Sequence, residues 1–410
     1  MKPKIRIKGF NDAWEYSYLY NCLDISTEVN KENKYGKDEV LSVSDDFGVV
    51  NQIKHLGRSY AGKSVSGYKI LLPGQIVYTK SPLRDKPFGI IKENNYQAGI
   101  VSVLYAVYNV KEGIFSKYIQ RYFEPKQRIN KYLIPLVNKG AKNTMNISDE
   151  MSLNGKITKP VTICEQQAIC SYFDKVDELI STASSRLASL KQVKEASLQA
   201  MFPQKGETVP KIRFKGFEGE WVNGRLGEFL DISAEKNLDD KYGINEVLSV
   251  SDDEGVVNQI KLLGRSYAGK SVTNYNVLRP NQIVYTKSPL KAKPYGIVKV
   301  NEGETGIVSV LYAVYSAKEG VSSKYIHYYF EPTFRINKYL LPLINKGAKN
   351  TMNISDEAFL QGSIMIPPML EEQQHIASYF TSLDKQIALQ TQRLEKLRQI
   401  KAACLDKMFV

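Results

Sequence analysis

Apolar and polar positions along this chain fall into two textures, and the two alternate twice. The first texture is made of short runs: "EVLSVSD", "GVVNQIK", "QIVYTK", "GIIKEN" and "GIVSVLYAVY". They are rich in Val, Ile and Tyr and bounded by Gly, Pro and Asp, which predicts strands. In "LLPGQIVYTK", Pro73-Gly74 marks a turn just before a strand. "SKYIQRYFEPKQRINKYLIPLV" has helical spacing with a break at Pro125. Strands and short helices interleaved in this way predict a compact α+β domain.

The second texture begins after Pro160. Apolar or small residues fall at Ile169, Phe173, Val176, Ile180, Ala183, Leu187 and Leu190, alternately four and three apart. That is a heptad seam. It returns at Ile376, Phe380, Leu383, Ile387, Leu394 and Leu397, with Gln390 in the place of Ala183. Thr162-x-x-Glu165 fits a capping box at the first helix start. A helix of ~37 residues is ~55 Å long, too long to hide its stripe on one small domain. Pairing the two helices with each other buries both stripes. The first helix carries the chain away from one domain and the second starts at the other, so the pair is expected to be antiparallel. One domain at each end and a pseudo-twofold axis follow. The predicted organisation is 1–163 (α+β domain), 164–204 (long helix), 205–370 (α+β domain) and 371–410 (long helix).

The alternation is a duplication. "NKGAKNTMNISDE" starts at Asn138 and again at Asn345, an offset of 207 residues that holds without a gap along the chain. "KIRIKGF" from Lys4 matches "KIRFKGF" from Lys211, and Trp14 matches Trp221. "LGRSYAGKSV", "QIVYTKSPL" and "GIVSVLYAVY" all recur at the same offset, and Met201-Phe202 matches Met408-Phe409. The period is far too long for a solenoid, so each copy is expected to be a domain in its own right.

Duplication also filters candidate chemistry, because a site built by the repeated unit belongs to both copies. Cys22, Cys164, Cys170 and Cys404 face Phe229, Glu371, Ala377 and Ser197; His55, His327 and His375 face Leu262, Gln120 and Ala168. Neither Cys nor His chemistry is therefore expected of the unit, and no metal. No Cys-x-x-Cys or Cys/His cluster suggests zinc. The formal charge of +13 fits a polyanionic partner, most often nucleic acid, and equally a lysine-rich surface kept for solubility. No apolar run reaches a membrane span, and "MKPKIRIKGF" lacks a signal-peptide core, so a cytoplasmic protein is expected.

The order of parts resembles that of type I restriction–modification specificity subunits over the whole chain. The resemblance rests on an α+β domain, a long helix opening with "EQQ" (Glu165-Gln166-Gln167), then both again with "PPMLEEQQHIASYF" from Pro367. "PGQIVYTKSPL" and "GIVSVLYAVY" are similar to segments of the family's target-recognition domains. The first copy departs at its helix entry, "KPVTICEQQAICSYF", where a Pro-Leu-Glu type run is common in the family. The resemblance implies a non-catalytic subunit. Its two domains read the halves of a bipartite duplex target, spaced by an antiparallel coiled coil. Two DNA adenine methyltransferase subunits and two restriction/translocase subunits are implied as partners. S-adenosylmethionine, ATP and magnesium are used by those partners and none is bound directly here. In such proteins the two domains usually differ; here they are alike, so the expected target is an interrupted palindrome or nearly one.

Three repeated polar segments can meet DNA. The first carries Arg58, Ser59, Tyr60, Lys63 and Ser64, mirrored by Arg265, Ser266, Tyr267, Lys270 and Ser271. The second carries Tyr78, Thr79 and Lys80, mirrored by Tyr285, Thr286 and Lys287. The third carries Lys139, Lys142, Asn143, Thr144 and Asn146, mirrored by Lys346, Lys349, Asn350, Thr351 and Asn353. Arg58 and Lys80 can donate to guanine, Asn143 and Asn146 can pair with adenine, and Lys63, Lys139 and Lys142 suit phosphates. The competing reading is solvated loops kept alike by a recent duplication.

Other activities leave no matching signature. "GRSYAGKS", from Gly57, fits a phosphate-loop pattern, but a true phosphate loop opens a helix and "VSGYKILLPGQIVYTK" follows here. There is no Asn/Asp-Pro-Pro-Tyr/Phe motif for adenine methylation. A nuclease-like "DISAEK" at Asp231 to Lys236 has the mate "DISTEV", without the lysine. Two alternatives stand beside DNA recognition: a coiled-coil scaffold with two protein-binding α+β domains, and a self-contained nuclease or methyltransferase.

Overall fold

The computed structural model describes residues 2–82, 86–139, 145–287, 293–346 and 352–409. The chain divides into two units. One joins Met1–Ser184 to Gln392–Val410, and the other is Ser185–Thr391. Each is α+β, and each contains part of both long helices.

In the first unit a four-stranded antiparallel sheet runs in the order Leu23–Ile25, Ala106–Val110, Ile76–Tyr78, Ile91–Glu93. Side chains alternate across it, as the pleat requires. Ile76, Tyr78 and Tyr108 point into a core with Tyr118, Ile119, Phe123, Ile129 and Leu133, from helices Ser116–Phe123 and Lys126–Leu133. Val77 and Val107 point the other way, onto Leu41, Val43, Val49, Leu71 and Val101. Burial on both faces explains why "IVY" shows no polar alternation. The break at Pro125 falls between the two helices.

The second face of the sheet is covered by a hairpin, Leu41–Ser44 with Gly48–Asn51, and by a ribbon, Lys69–Leu71 paired antiparallel with Gly99–Val101. Gly99 admits close approach of the two pieces: a Cβ there would lie 2.4 Å from the carbonyl oxygen of Glu39. The run "GIVSVLYAVY", expected as one strand, is two. Gly99–Val101 belongs to the ribbon and Ala106–Val110 to the sheet, with a tight turn over residues 102–105 between them. "GVVNQIK" likewise changes state midway, because Asn51 caps the short helix Gln52–Leu56 by accepting from Lys54 N at 3.0 Å.

The second unit repeats the plan. Its sheet order is Leu230–Ile232, Ala313–Ala317, Ile283–Tyr285, Val298–Val300, and its ribbon pairs Asn276–Leu278 with Gly306–Val308.

The long helices span Ile163–Ala200 and Leu370–Lys407. Within the first unit the Tyr172 hydroxyl lies 3.2 Å from Cys404 Sγ, and Lys401 Nζ lies 2.8 Å from Asp177. Advancing on one helix means retreating on the other, so these segments run antiparallel. The second unit shows the same sense, with Ser197 Oγ 3.0 Å from the Tyr379 hydroxyl and Lys194 paired with Asp384. Ile169, Phe173, Val176, Ile376, Phe380, Leu383 and Leu394 are buried, while Ile180, Leu187, Leu190, Ile387 and Leu397 are partly exposed.

Each core is closed by the end of the opposite repeat's helix. Met408 and Phe409 are buried in the first unit, Met201 and Phe202 in the second. A backbone bond from Ile5 N to the carbonyl of Lys407 (3.1 Å) ties the first closure, and one from Ile212 N to that of Ala200 (3.0 Å) ties the second.

The "EQQ" entry is a latch. Glu165, 2% exposed, receives both Arg6 Nε and Nη2 at 2.7 and 2.8 Å, together with the Trp14 indole at 3.1 Å. Gln166, wholly buried, accepts from Phe115 N at 2.9 Å and donates to the carbonyl of Gly113. Glu372, Arg213, Trp221 and Gln373 repeat this arrangement. The capping box expected at Thr162 is thus only half made. Thr162 Oγ1 accepts from Glu165 N at 3.4 Å, but the Glu165 carboxylate is committed to Arg6 and Trp14.

Candidate nucleic-acid interface

The antiparallel register of the ribbon decides which loops meet. Lys69 lies opposite Val101, so the loop before Lys69 and the turn after Val101 leave the same end. The loop before Lys69 is the first candidate segment, residues 57–64 and their continuation. The turn leans on it: a Cβ on Gly67 would stand 4.0 Å from Val103 Cγ1.

This loop is pinned by hydrogen bonds to its backbone and by Ala61 and Val65, which pack with Val40 and Ile100. Gln52 Oε1 accepts from Tyr60 N at 2.6 Å, and Gly62 N donates to the Tyr68 hydroxyl at 3.2 Å. That anchoring leaves the reactive ends outside. Tyr60 is 58% exposed, with the Arg58 guanidinium 4.5 Å from its ring centroid. Lys63 and Ser64 are exposed, and among the described residues Lys63 forms no salt bridge. In the second unit Tyr267 is 60% exposed under Arg265 at 4.5 Å, with Lys270 and Ser271 likewise outside. Ser59 and Ser266 turn inward to Gln52 and Gln259. No helix follows Gly57 or Gly264, each of which ends a helix in the left-handed region, so the phosphate-loop pattern has no helix terminus to act with.

The second candidate segment divides. Tyr78 and Tyr285 are wholly buried and donate to the carbonyls of Phe88 and Tyr295. Thr79 and Thr286 are buried and accept from Ile90 N and Ile297 N. These four are core groups and present nothing to a base. The sequence offers them as DNA-contact candidates because this polar segment recurs in both copies. Only Lys80 and Lys287 emerge. Both hold the left-handed backbone region, φ 51° and 52°, which is uncommon for a side chain of this kind. Gly89 packs against this bend at φ 87°, where a Cβ would come within 2.7 Å of Thr79 Oγ1; Gly296 does the same beside Thr286.

Lys80 Nζ pairs with Asp149 at 2.6 Å, and so does Lys69 Nζ. Asp149 thereby ties the second segment to the ribbon end and to the stretch just after the third segment. Burial would raise its carboxyl pKa, but the two ammonium groups prevail and hold it below the usual aspartate value. In the second unit Asp356 pairs with Lys287 at 2.8 Å. Asn276 replaces Lys69 there and donates to the carbonyl of Tyr312 at 2.9 Å. The two sites are therefore alike but not identical in charge. Lys69, Asp149, Asp356 and the 102–105 turn carried no sequence signal of their own, since each sits inside a run read as strand or loop.

Of the third segment, Lys142, Asn143, Thr144, Lys349, Asn350 and Thr351 lie outside the described residues. For Lys139, Asn146, Lys346 and Asn353 only the backbone is described, in the short pairings Asn138–Lys139 with Met145–Asn146 and Asn345–Lys346 with Met352–Asn353. Among the described residues no group of His, Cys, Asp and Glu is arranged to hold a metal ion, and no helix is long and apolar enough to cross a membrane.

Residues 218–399 match the family model for the type I restriction modification DNA specificity domain. Among solved structures, the chain is similar to the S subunit of a type I restriction–modification system from M. genitalium. The identity is 11% and the TM-score 0.57, over 100% of this chain and 99% of that one. It is also similar to the HsdS subunit from Thermoanaerobacter tengcongensis, at 15% identity and TM-score 0.45 over 97% and 96%. A third match, at 17% identity and TM-score 0.48, comes from a study of complex assembly in a type I system. At 11% identity it is the fold that the M. genitalium subunit shares with this chain. The family match falls on the second repeat, and the first repeat is its internal copy in sequence.

Proposed function

We propose that this chain is the recognition subunit of a type I restriction–modification complex and that it reads a bipartite duplex target with two like half-sites. The observation that carries this reading is the solvent-facing cluster of Arg58, Tyr60 and Lys63 at the ribbon end, present again as Arg265, Tyr267 and Lys270. An aromatic ring under a guanidinium, in the same loop as an exposed lysine, suits sugar–phosphate and base-edge contact. Like readers imply like half-sites, so the target is an interrupted palindrome or nearly one. Lys69 against Asn276 is where the two readings can diverge.

In this reading the chain makes no bonds itself. Two adenine methyltransferase subunits dock on it, and restriction/translocase subunits, two in number, join to cleave. S-adenosylmethionine, ATP and magnesium belong to those partners, and the complex works in the cytoplasm. Methylome sequencing of a host carrying this chain tests the proposal. It is expected to show methyladenine in two matching half-sites on opposite strands, and unrelated half-sites would refute the symmetric reading. Retention on duplex DNA that falls with salt is expected of the purified chain. Salt-independent behaviour together with protein-only partners would favour a scaffold instead.

A further inference from the structure

We propose that the turns at Val103-Leu104 and Val310-Leu311 are wedges, each entering the duplex at its half-site and unstacking one base step. This deepens the DNA-reading proposal and rests on it.

The turns are unusual in composition. A tight turn between two core strands is ordinarily built of Gly, Asn, Asp or Pro. Here Val and Leu occupy the tip, 53% and 64% exposed in the first unit and 48% and 64% in the second. Exposure is not the product of a loose loop. Tyr105 N donates to the Ser102 carbonyl at 2.9 Å and Leu104 N to Ser102 Oγ at 3.3 Å, and Tyr312, Leu311 and Ser309 repeat both bonds at the same distances. Val101 and Ala106 on either side are wholly buried. A short, braced arm thus holds two aliphatic side chains in water.

Elsewhere some exposed apolar groups differ between the copies, while Leu56 and Leu263, Ile5 and Ile212, and Ile134 and Leu341 are kept apolar. Exposed Tyr16, Tyr20 and Phe47 face Asn223, Gly227 and Glu254 in the second repeat. At the turn both copies keep Val-Leu. The position explains the choice of partner. The turn leaves the ribbon end that also carries the basic loop, with Gly67 against Val103 in one unit and Asn276 bonded to the Tyr312 carbonyl in the other. A protein-docking patch would be broad and apolar throughout. Here two aliphatic residues stand at the tip, at the ribbon end entered by the loop that carries Arg58, Tyr60 and Lys63. Apolar side chains inserted between base steps, flanked by cations on the phosphates, are how a duplex is kinked from one groove. Pyrimidine–purine steps open at least cost, so a TA or CA/TG step is expected where each tip enters.

The test uses the full chain and duplexes carrying the methylome-defined target, with 2-aminopurine placed at successive positions in each half-site. Wild-type protein is expected to raise the fluorescence at one step per half-site. L104A/L311A is expected to lose that rise and bind about tenfold more weakly, with an unchanged salt slope. K63A/K270A is expected to lower the slope and keep the rise. Binding with no fluorescence change, or a double variant that behaves as wild type, overturns the wedge and leaves DNA reading intact. A variant that loses methyltransferase docking while keeping the fluorescence rise makes the tip a protein contact and also overturns it. Absence of salt-dependent duplex binding by the wild type sinks both proposals.

Discussion

The ring of Phe409, the penultimate residue, stands 6.3 Å from that of Trp14 at an interplanar angle of 80°. It also lies 5.5 Å from Tyr118 and 6.0 Å from Phe173, the latter stacked. Trp14, early in the sequence, and Phe409, late in it, thus share one aromatic core. Phe202 occupies the corresponding core of the second unit, against Trp221, Tyr325 and Phe380.

Removing that ring leaves a cavity that rigid neighbours cannot fill. F409A is expected to cost about 3–5 kcal/mol, and F202A about the same. Urea unfolding monitored by tryptophan fluorescence checks this. An F409A variant as stable as wild type would mean that the chain end does not close the first core.

The Glu165 latch couples a helix start to Trp14, which immediately precedes the strand Glu15–Tyr18. E165Q keeps the shape but strands the Arg6 guanidinium beside a neutral amide in a site that is 2% exposed at the carboxylate. Losing this charge-assisted pairing at a part-buried guanidinium is expected to cost about 1.5–3 kcal/mol. E372Q is expected to do the same to the second unit. Hydrogen exchange is the discriminating measurement, because protection is expected to fall in residues of the mutated unit first.

The two units are expected to differ in acid. His327 is partly buried with Nδ1 3.0 Å from the Val298 carbonyl, and burial together with the nearby Lys299 ammonium pushes its pKa below the ordinary histidine value. Below about pH 6.5 the unfolded imidazole takes a proton that the folded one refuses, so stability falls as pH falls, by at most about 1.4 kcal/mol per pH unit. The first unit has Gln120 at this place. H327Q is expected to flatten the stability profile between pH 6.5 and 5. An unaltered profile in melting experiments would rule His327 out as the source.

Lys63 and Lys270 are exposed and free of salt bridges among the described residues. If each meets one phosphate, K63A and K270A each lower the slope of log affinity against log salt by about 0.9. D149N frees Lys69 and Lys80 from their shared carboxylate and is expected to raise the slope and weaken discrimination between sequences. Filter binding across a salt series reads both effects.

By itself the sequence determined the duplication, the α+β character of each repeat, and the long helices with their seam. These are written in local periodicity: heptads at Ile169 to Leu190, and Val/Ile/Tyr runs cut by Gly and Pro. Arg58, Tyr60 and Lys63 were legible as surface groups because they lie in a Gly-bounded polar loop. What only the tertiary structure decided is which pieces close on which. Phe409 fills the core beside Trp14, Tyr78 and Thr79 turn into the core, Asp149 gathers Lys69 and Lys80, and "GIVSVLYAVY" folds back at an aliphatic tip. The reason is physical: period and propensity act between near neighbours in the chain. Burial, by contrast, is settled by whichever distant segment arrives to exclude the water.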